Sequence, residues 1–250
     1  MKSILIYGLH AVRQALLRHP EAVLEVYVSA SREARAGQDM FAEVLTLAEA
    51  QGLTVQAVRD DRLEQLLGAS EHQGVAARRR PYAPPSLETL LAAERGRPPL
   101  FLVLDQVQDP HNLGAALRVA DGAGVDALIV PGRRAAHITP VVAKVACGAA
   151  ETVPVVEVGN LAQTLRMLKD AGLWLIGLDG EAPESLYTQD LTGPVALVLG
   201  NEGDGLRQLT REHCDFLVKI PMLGVVESLN VSTATAVCVF EALRQRGAGR

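Results

Sequence analysis

The sequence predicts an α/β protein: a small N-terminal α/β unit followed by a larger domain built on a parallel sheet. Three observations carry this prediction. Apolar strand-like runs alternate with helical patterns along the 250 residues. From Leu100 onward the runs L-F-L-V-L, A-L-I-V, L-W-L-I-G-L and V-A-L-V-L-G are continuously apolar, the pattern of parallel strands covered by helices on both faces. Between the two parts, residues 81–98 hold P-Y-A-P-P and the start of G-R-P-P around a short helical piece, a linker signature. The expected domains are therefore 1–80 and 99–250, joined by 81–98.

The N-terminal elements follow in order. Ser3–Tyr7 reads as a strand, Gly8 opens a helix to about Arg18, and Val23–Ser29 alternates as a strand. An amphipathic helix over 37–51 stops at Gly52. Strand 53–58, helix 61–67 and strand 74–78 complete the unit. His10 and His72 fit surface or capping positions better than ligand positions. In the larger domain, helices are expected from Leu113, near Pro140–Cys147, over Leu161–Ala171, from Leu206 and from Val231 to Phe240.

With 48% apolar residues the chain can bury a real core. It has no run of 18 apolar residues, and Met1-Lys2-Ser3 leads into a strand, so a cytoplasmic protein without a membrane segment is expected. Cys147, Cys214 and Cys238 are odd in number and scattered, which predicts buried thiols and no zinc site. The net charge of −5 falls entirely on 99–250, since ten Lys and Arg balance ten Asp and Glu in 1–80. A dense basic face is absent, so any RNA contact must come from local groups such as Arg78–Arg80 and Arg133-Arg134, summed over an oligomer.

Ligands of parallel sheets sit beyond the carboxyl ends of strands, and three polar islands follow strands here. In D-P-H-N-L-G-A-A-L-R (Asp109–Arg118), Asn112 is the expected helix cap, and Leu113, Leu117 and Ala120 share an apolar face. Arg118 stands off that face between Gly114 and Gly122, where an i,i+3 pair with Asp121 would also account for it. In L-G-N-E-G-D-G-L (Leu199–Leu206), the glycines at 200, 203 and 205 permit close backbone approach, and Glu202 sits among them. The glycine order is wrong for a dinucleotide turn, and the Lys-Ser/Thr of a phosphate loop is missing. The third island sets Ser228 and Asn230 ahead of a helix rich in small residues; one can cap it while the other stays available to a ligand.

Taken together, D-P-H-N-L-G-A-A-L-R, L-V-L-G-N-E-G-D-G-L and I-P-M-L-G-V-V-E-S-L-N-V-S-T-A resemble the three motifs of the SPOUT superfamily of RNA methyltransferases, in its SpoU (TrmH-type) branch. The segments I-Y-G-L-H-A-V and H-Q-G-V-A-A-R extend the resemblance through the N-terminal part, toward a member acting on 23S ribosomal RNA. The resemblance implies a deep trefoil knot and a homodimer with the knot region and final helix at its interface. It also implies an N-terminal RNA-binding domain and S-adenosylmethionine as cofactor, with no metal. Gly200, Ile220 and Leu229, with Leu199 and Met222, would hold the cofactor. Arg118 would act on a guanosine 2′-hydroxyl, with Asn112, Glu202, Ser228 and Asn230 around it. Because guanidinium stays protonated, a proton-accepting role for Arg118 competes with a phosphate- or alkoxide-binding one. Glu227 adds a negative charge beside Ser228. A transfer-RNA or other ribosomal site, and a non-catalytic ribosome-assembly factor that binds RNA, are the competing functional readings.

Overall fold

The computed structural model describes residues 3–33, 39–81, 83–133, 135–201 and 205–247. Along the chain the first elements are β1 (Ile4–Tyr7), α1 (Leu9–Arg18), β2 (Val23–Ser29) and α2 (Ala30–Glu33). Then come α3 (Met40–Ala50), β3 (Thr54–Val58), α4 (Asp60–Leu67), β4 (Val75–Arg79) and α5 (Leu87–Ala92). The second half begins with β5 (Leu100–Leu104), α6 (Pro110–Gly122), β6 (Ala127–Pro131), α7 (Pro140–Val145) and β7 (Val155–Val158). It continues through α8 (Leu161–Asp170), β8 (Trp174–Leu178), β9 (Glu184–Ser185), β10 (Val195–Leu199), α9 (Gln208–His213), β11 (Phe216–Lys219) and α10 (Val231–Gly247). The last helix runs a full seven residues past Phe240, its expected end, and α2 and β9 are too short to leave a periodic signal.

Two compact units result: residues 1–83 with 138–152, and residues 84–137 with 153–250. The first has a four-stranded sheet in the order β1-β4-β2-β3, antiparallel except for the β2–β3 pair. One side of it buries Val12, Leu16, Val26, Phe41, Val44 and Ala77. Tyr7, Tyr27, Leu63 and Ala76 form a smaller cluster. The capping chemistry is local: Asp39 accepts from the N–H groups of Phe41 and Ala42 to start α3, and Gly68 at φ 64 closes α4.

Segment 138–152 departs from expectation. It was assigned to the larger domain, yet α7 packs on β1, and Ala143 joins the core of the first unit. Thr139 starts α7 by accepting from the N–H of Val142. Arg79 and Glu151, both almost wholly buried, form an ion pair that ties the segment to β4. The run Arg78–Arg80 is consequently no basic patch. Arg78 binds Glu25 and Tyr27, Arg79 is 2% exposed, and only Arg80 lies at the surface.

The second unit carries a seven-stranded sheet in the order β7-β6-β5-β10-β8-β11-β9, with every pair parallel. Phe101, Val103, Ile129, Ala196 and Val198 pack with Leu161, Leu165 and Leu168 of α8 on one face. Residues of the other parity, such as Leu102, Leu104, Leu128 and Leu197, are equally buried, and α10 packs on both β10 and α6. Continuous apolarity of these strands therefore has the cause that was inferred, burial on both sides. The loops after β5, β10 and β11 all leave the carboxyl ends of their strands.

Candidate active site

The loop after β5 turns at Gln106, one of few non-glycine residues in the left-handed region (φ 63). It then enters α6 through Asp109, whose carboxylate accepts from the His111 N–H at 2.8 Å, with Pro110 at the first helical position. Asp109 is thus the cap, and Asn112, expected to serve as one, instead lies within the first turn and is 9% exposed. Buried there, its side chain requires hydrogen-bond partners within the protein. Asn230 Nδ2 donates to Asn112 Oδ1 at 3.0 Å, joining two islands 118 residues apart. Asn230 Oδ1 accepts from the backbone N–H of Ser232 at 2.9 Å and from its hydroxyl at 2.6 Å, so Asn230 caps α10 as well.

A cavity of about 330 Å³ opens beside this junction, lined by Gln106, Gln108, Asp109, Asn112, Asn201 and Val231. Arg118 projects from the exposed side of α6, two turns along from Asn112, while Leu113, Leu117 and Ala120 are buried as their spacing implied. Ser228 is exposed on the approach to α10. Glu202 lies outside the described residues. Leu199 is buried at the end of β10, Ile220 and Leu229 are half-buried, and Met222 is 36% exposed.

Gly200 is fixed by crowding. A Cβ there would fall inside the backbone of Gly205 and Leu206, because Asn201 and Gly205 bridge to close the neck of the loop. The loop from Pro221 to Leu229 is open: Leu223 and Val225 are fully exposed and Val226 is 66% exposed. Among the described residues, the peptide groups of Met222–Leu229 make no hydrogen bonds within the chain.

Sequence reading passed over Asp105. It is 0% exposed, and its N–H donates to the Leu199 carbonyl at 2.7 Å. Its carboxylate accepts from Thr210 Oγ1 at 2.6 Å and Arg207 Nε at 3.1 Å, with Arg207 Nη2 at 2.6 Å from the other oxygen. This ties the start of the first island to the far side of the second. The available signal was a carboxylate placed directly after five buried apolar residues, which needs a partner there.

Cys238 is buried and Cys214 half-buried, and burial pushes both thiols up to about 12, so neither is a nucleophile.

Residues 99–240 match the SpoU rRNA Methylase family. The chain belongs to that family. Residues 5–85 match a second family, described as RNA 2'-O ribose methyltransferase substrate binding. Among relatives of this SpoU chain, the 23S rRNA (guanosine-2'-O-)-methyltransferase RlmB of Pectobacterium atrosepticum is 50% identical over 98% of this chain and 99% of its own. RlmB of Pseudomonas putida is 51% identical over 96% of each. The crystal structure of the SpoU methyltransferase AviRb from Streptomyces viridochromogenes in complex with AdoMet superposes with a TM-score of 0.82 at 28% identity, covering 99% of this chain and 92% of that one.

Proposed function

We propose that this SpoU family member is an S-adenosylmethionine-dependent methyltransferase that modifies the ribose 2′-hydroxyl of a guanosine in 23S ribosomal RNA. The observation that carries this is half-identity, over nearly the whole chain, to relatives bearing that activity. Both the methylase and the substrate-binding matches fall within that alignment.

The residues present suit the cofactor. Unpaired peptide groups in Met222–Leu229 offer donors and acceptors for an adenine edge, and the crowded neck at Gly200 brings bare backbone to the mouth of the site. Gly200, Ile220 and Leu229, with Leu199 and Met222, hold the cofactor in this reading. It supplies a methyl group already activated on a sulfonium centre. What this chain contributes is alignment and charge. Asn112 and Asn230, locked to each other, fix the floor. Arg118, permanently cationic, stabilises the developing 2′-alkoxide while solvent or a phosphate oxygen takes the proton. Glu202 and Ser228 orient Arg118 and the ribose.

In the same reading the return of Pro221–Asn230 to α6 threads a trefoil knot, and a second copy covers Leu223, Val225, Phe240 and Leu243, all exposed here. The 1–80 part, with its substrate-binding match, selects the RNA. No helix among the described residues is long and apolar enough to cross a membrane.

The test is methyl transfer from labelled S-adenosylmethionine to unmodified 23S transcript, mapped to a nucleotide. Label is expected on one guanosine ribose. Arg118→Ala should lower turnover at least 100-fold, in the range for removal of one charge-stabilising group, and leave cofactor affinity within about twofold. Label confined to transfer RNA would overturn the substrate, and equal loss of binding and turnover would overturn the role of Arg118.

A further inference from the structure

Two sequence stretches that the methyl-transfer chemistry leaves unused, Ile6–Val12 and His72–Arg78, converge in the first unit. β1 pairs with β4, the Gly8 N–H donates to the Val75 carbonyl, and the Leu9 N–H donates to Gln73 Oε1 at 3.1 Å. Beside this junction lies a cavity of about 370 Å³ lined by His10, Ala11, Glu71, Gln73, Lys144 and Cys147. Its size suits a small ligand, and its lining is mixed rather than apolar.

Two lining residues, the non-glycines Gln73 and Cys147, are held in the left-handed region at φ 53 and 52. Such outliers persist only where the surroundings enforce them, and they gather at ligand clamps. Gln73 has its carbonyl oxygen committed to capping α1, which leaves its NH₂ group as a donor. Lys144 Nζ lies 2.7 Å from Glu71 and 5.7 Å from the centroid of the Tyr7 ring. The Glu71 side chain is 85% exposed, so this ion pair is weakly held and readily exchanged for another anion.

An exchangeable cation and an amide donor around one cavity match the phosphate and the base edge of a nucleotide. RNA sequence is read chiefly from unpaired nucleotides, whose base edges need donors and acceptors side by side. We propose that this cavity is a second RNA subsite that receives one unpaired ribonucleotide of the substrate, with its phosphate taking the place of Glu71 on Lys144 and its base edge on the Gln73 amide. The proposal rests on RNA being the substrate. Lys144 and Cys147 fall within the methylase match and the other lining residues within the substrate-binding match, so both families build the subsite.

The experiment is filter binding of unmodified 23S transcript to the full-length protein across a salt series, with cofactor affinity and methyl transfer measured on the same preparations. Lys144→Gln should raise the RNA Kd about tenfold and reduce the salt slope by about one, with cofactor affinity unchanged. Glu71→Gln breaks the same ion pair but keeps the cation, so it should bind RNA as well as the parent protein or better. Lys144→Arg should restore binding. Equal weakening by the Glu71 and Lys144 variants would reduce the pair to a fold-holding contact and overturn the subsite. So would an unaltered Kd in Lys144→Gln while the parent protein methylates normally. A parent protein that neither binds nor methylates the transcript takes down the proposed substrate and the subsite together.

Discussion

Gly200 has no room for a methyl group, because the returning backbone of Gly205 occupies the place a Cβ would take. Gly200→Ala should therefore push the loop neck open, costing about 1–3 kcal/mol by overpacking. A lower melting temperature, and at least tenfold weaker cofactor binding by calorimetry, are the expected readouts; a variant that melts and binds like the parent would remove Gly200 from the site. At this scale the sequence disclosed residue types but not partners. Asn112 and Asn230 were recognisable as polar residues beside helix starts, Asn112 as a cap and Asn230 as either a cap or a ligand group, and the family resemblance set both around Arg118. The bond between them spans 118 residues and depends on α10 folding back along α6, which no local pattern encodes. Asp105 was overlooked for a related reason. An acid after a strand ordinarily signals a solvated loop, and only the sheet register places it at 0% exposure under Arg207 and Thr210.

Helix α10 shows what a whole element adds. Its small residues had drawn attention to its first turns, while its C-terminal half does different work. Glu241, 7% exposed, accepts from Arg244 at 2.8 Å through both oxygens and from Gln245 at 2.8 Å. Gln245 in turn binds the Gln189 carbonyl and the Leu191 N–H, and Arg246 binds the carbonyls of Leu191 and Gly193. The helix is thereby stitched to the segment leading into β10. The Arg244 hydrogen bonds hold the Glu241 carboxyl down at about 2, well below its ordinary range. A depressed carboxylate stabilises the fold fully above the unfolded value near ~4.3 and loses that contribution as pH falls through about 2. The stability gap between the parent protein and Glu241→Gln should accordingly be largest above pH ~4.5 and close toward pH ~2, as followed by denaturant melts at stepped pH. A gap independent of pH would assign Glu241 a purely steric role. The sequence located α10 as a nearly charge-free helix ending at Phe240, whereas it continues through charged residues to Gly247.

The molecule as a whole is organised by connectivity that composition and periodicity do not reveal. The chain passes between the two units at Ala83–Pro84, and it also leaves the second unit after His137 and returns at Val153. The buried pair Arg79–Glu151 secures this excursion, and Arg79 Nη2 has no hydrogen-bond partner among the described residues. Glu151→Ala would strand a buried guanidinium and should cost about 3–5 kcal/mol, whereas replacing both partners by apolar residues of like size should come close to neutral. Trp174 is the only tryptophan and belongs to the second unit. The loss should therefore appear as faster amide exchange in α1 and β4, with little change in the tryptophan fluorescence midpoint. A simultaneous collapse of both signals would show that the units melt as one.

The same excursion sets an order of events during synthesis. A ribosome that has made residues 1–83 has delivered the whole first sheet, but not the segment 138–152 that completes its core. At ~5–20 residues per second the closing segment follows roughly 4–14 s later. Until then the surface that receives Ala143 and the buried Arg79 stand without their partners. The amino-terminal unit is therefore finished only after part of its neighbour has been made. Expressed alone as residues 1–83, it should be prone to aggregate, and supplying 138–152 in trans should rescue it.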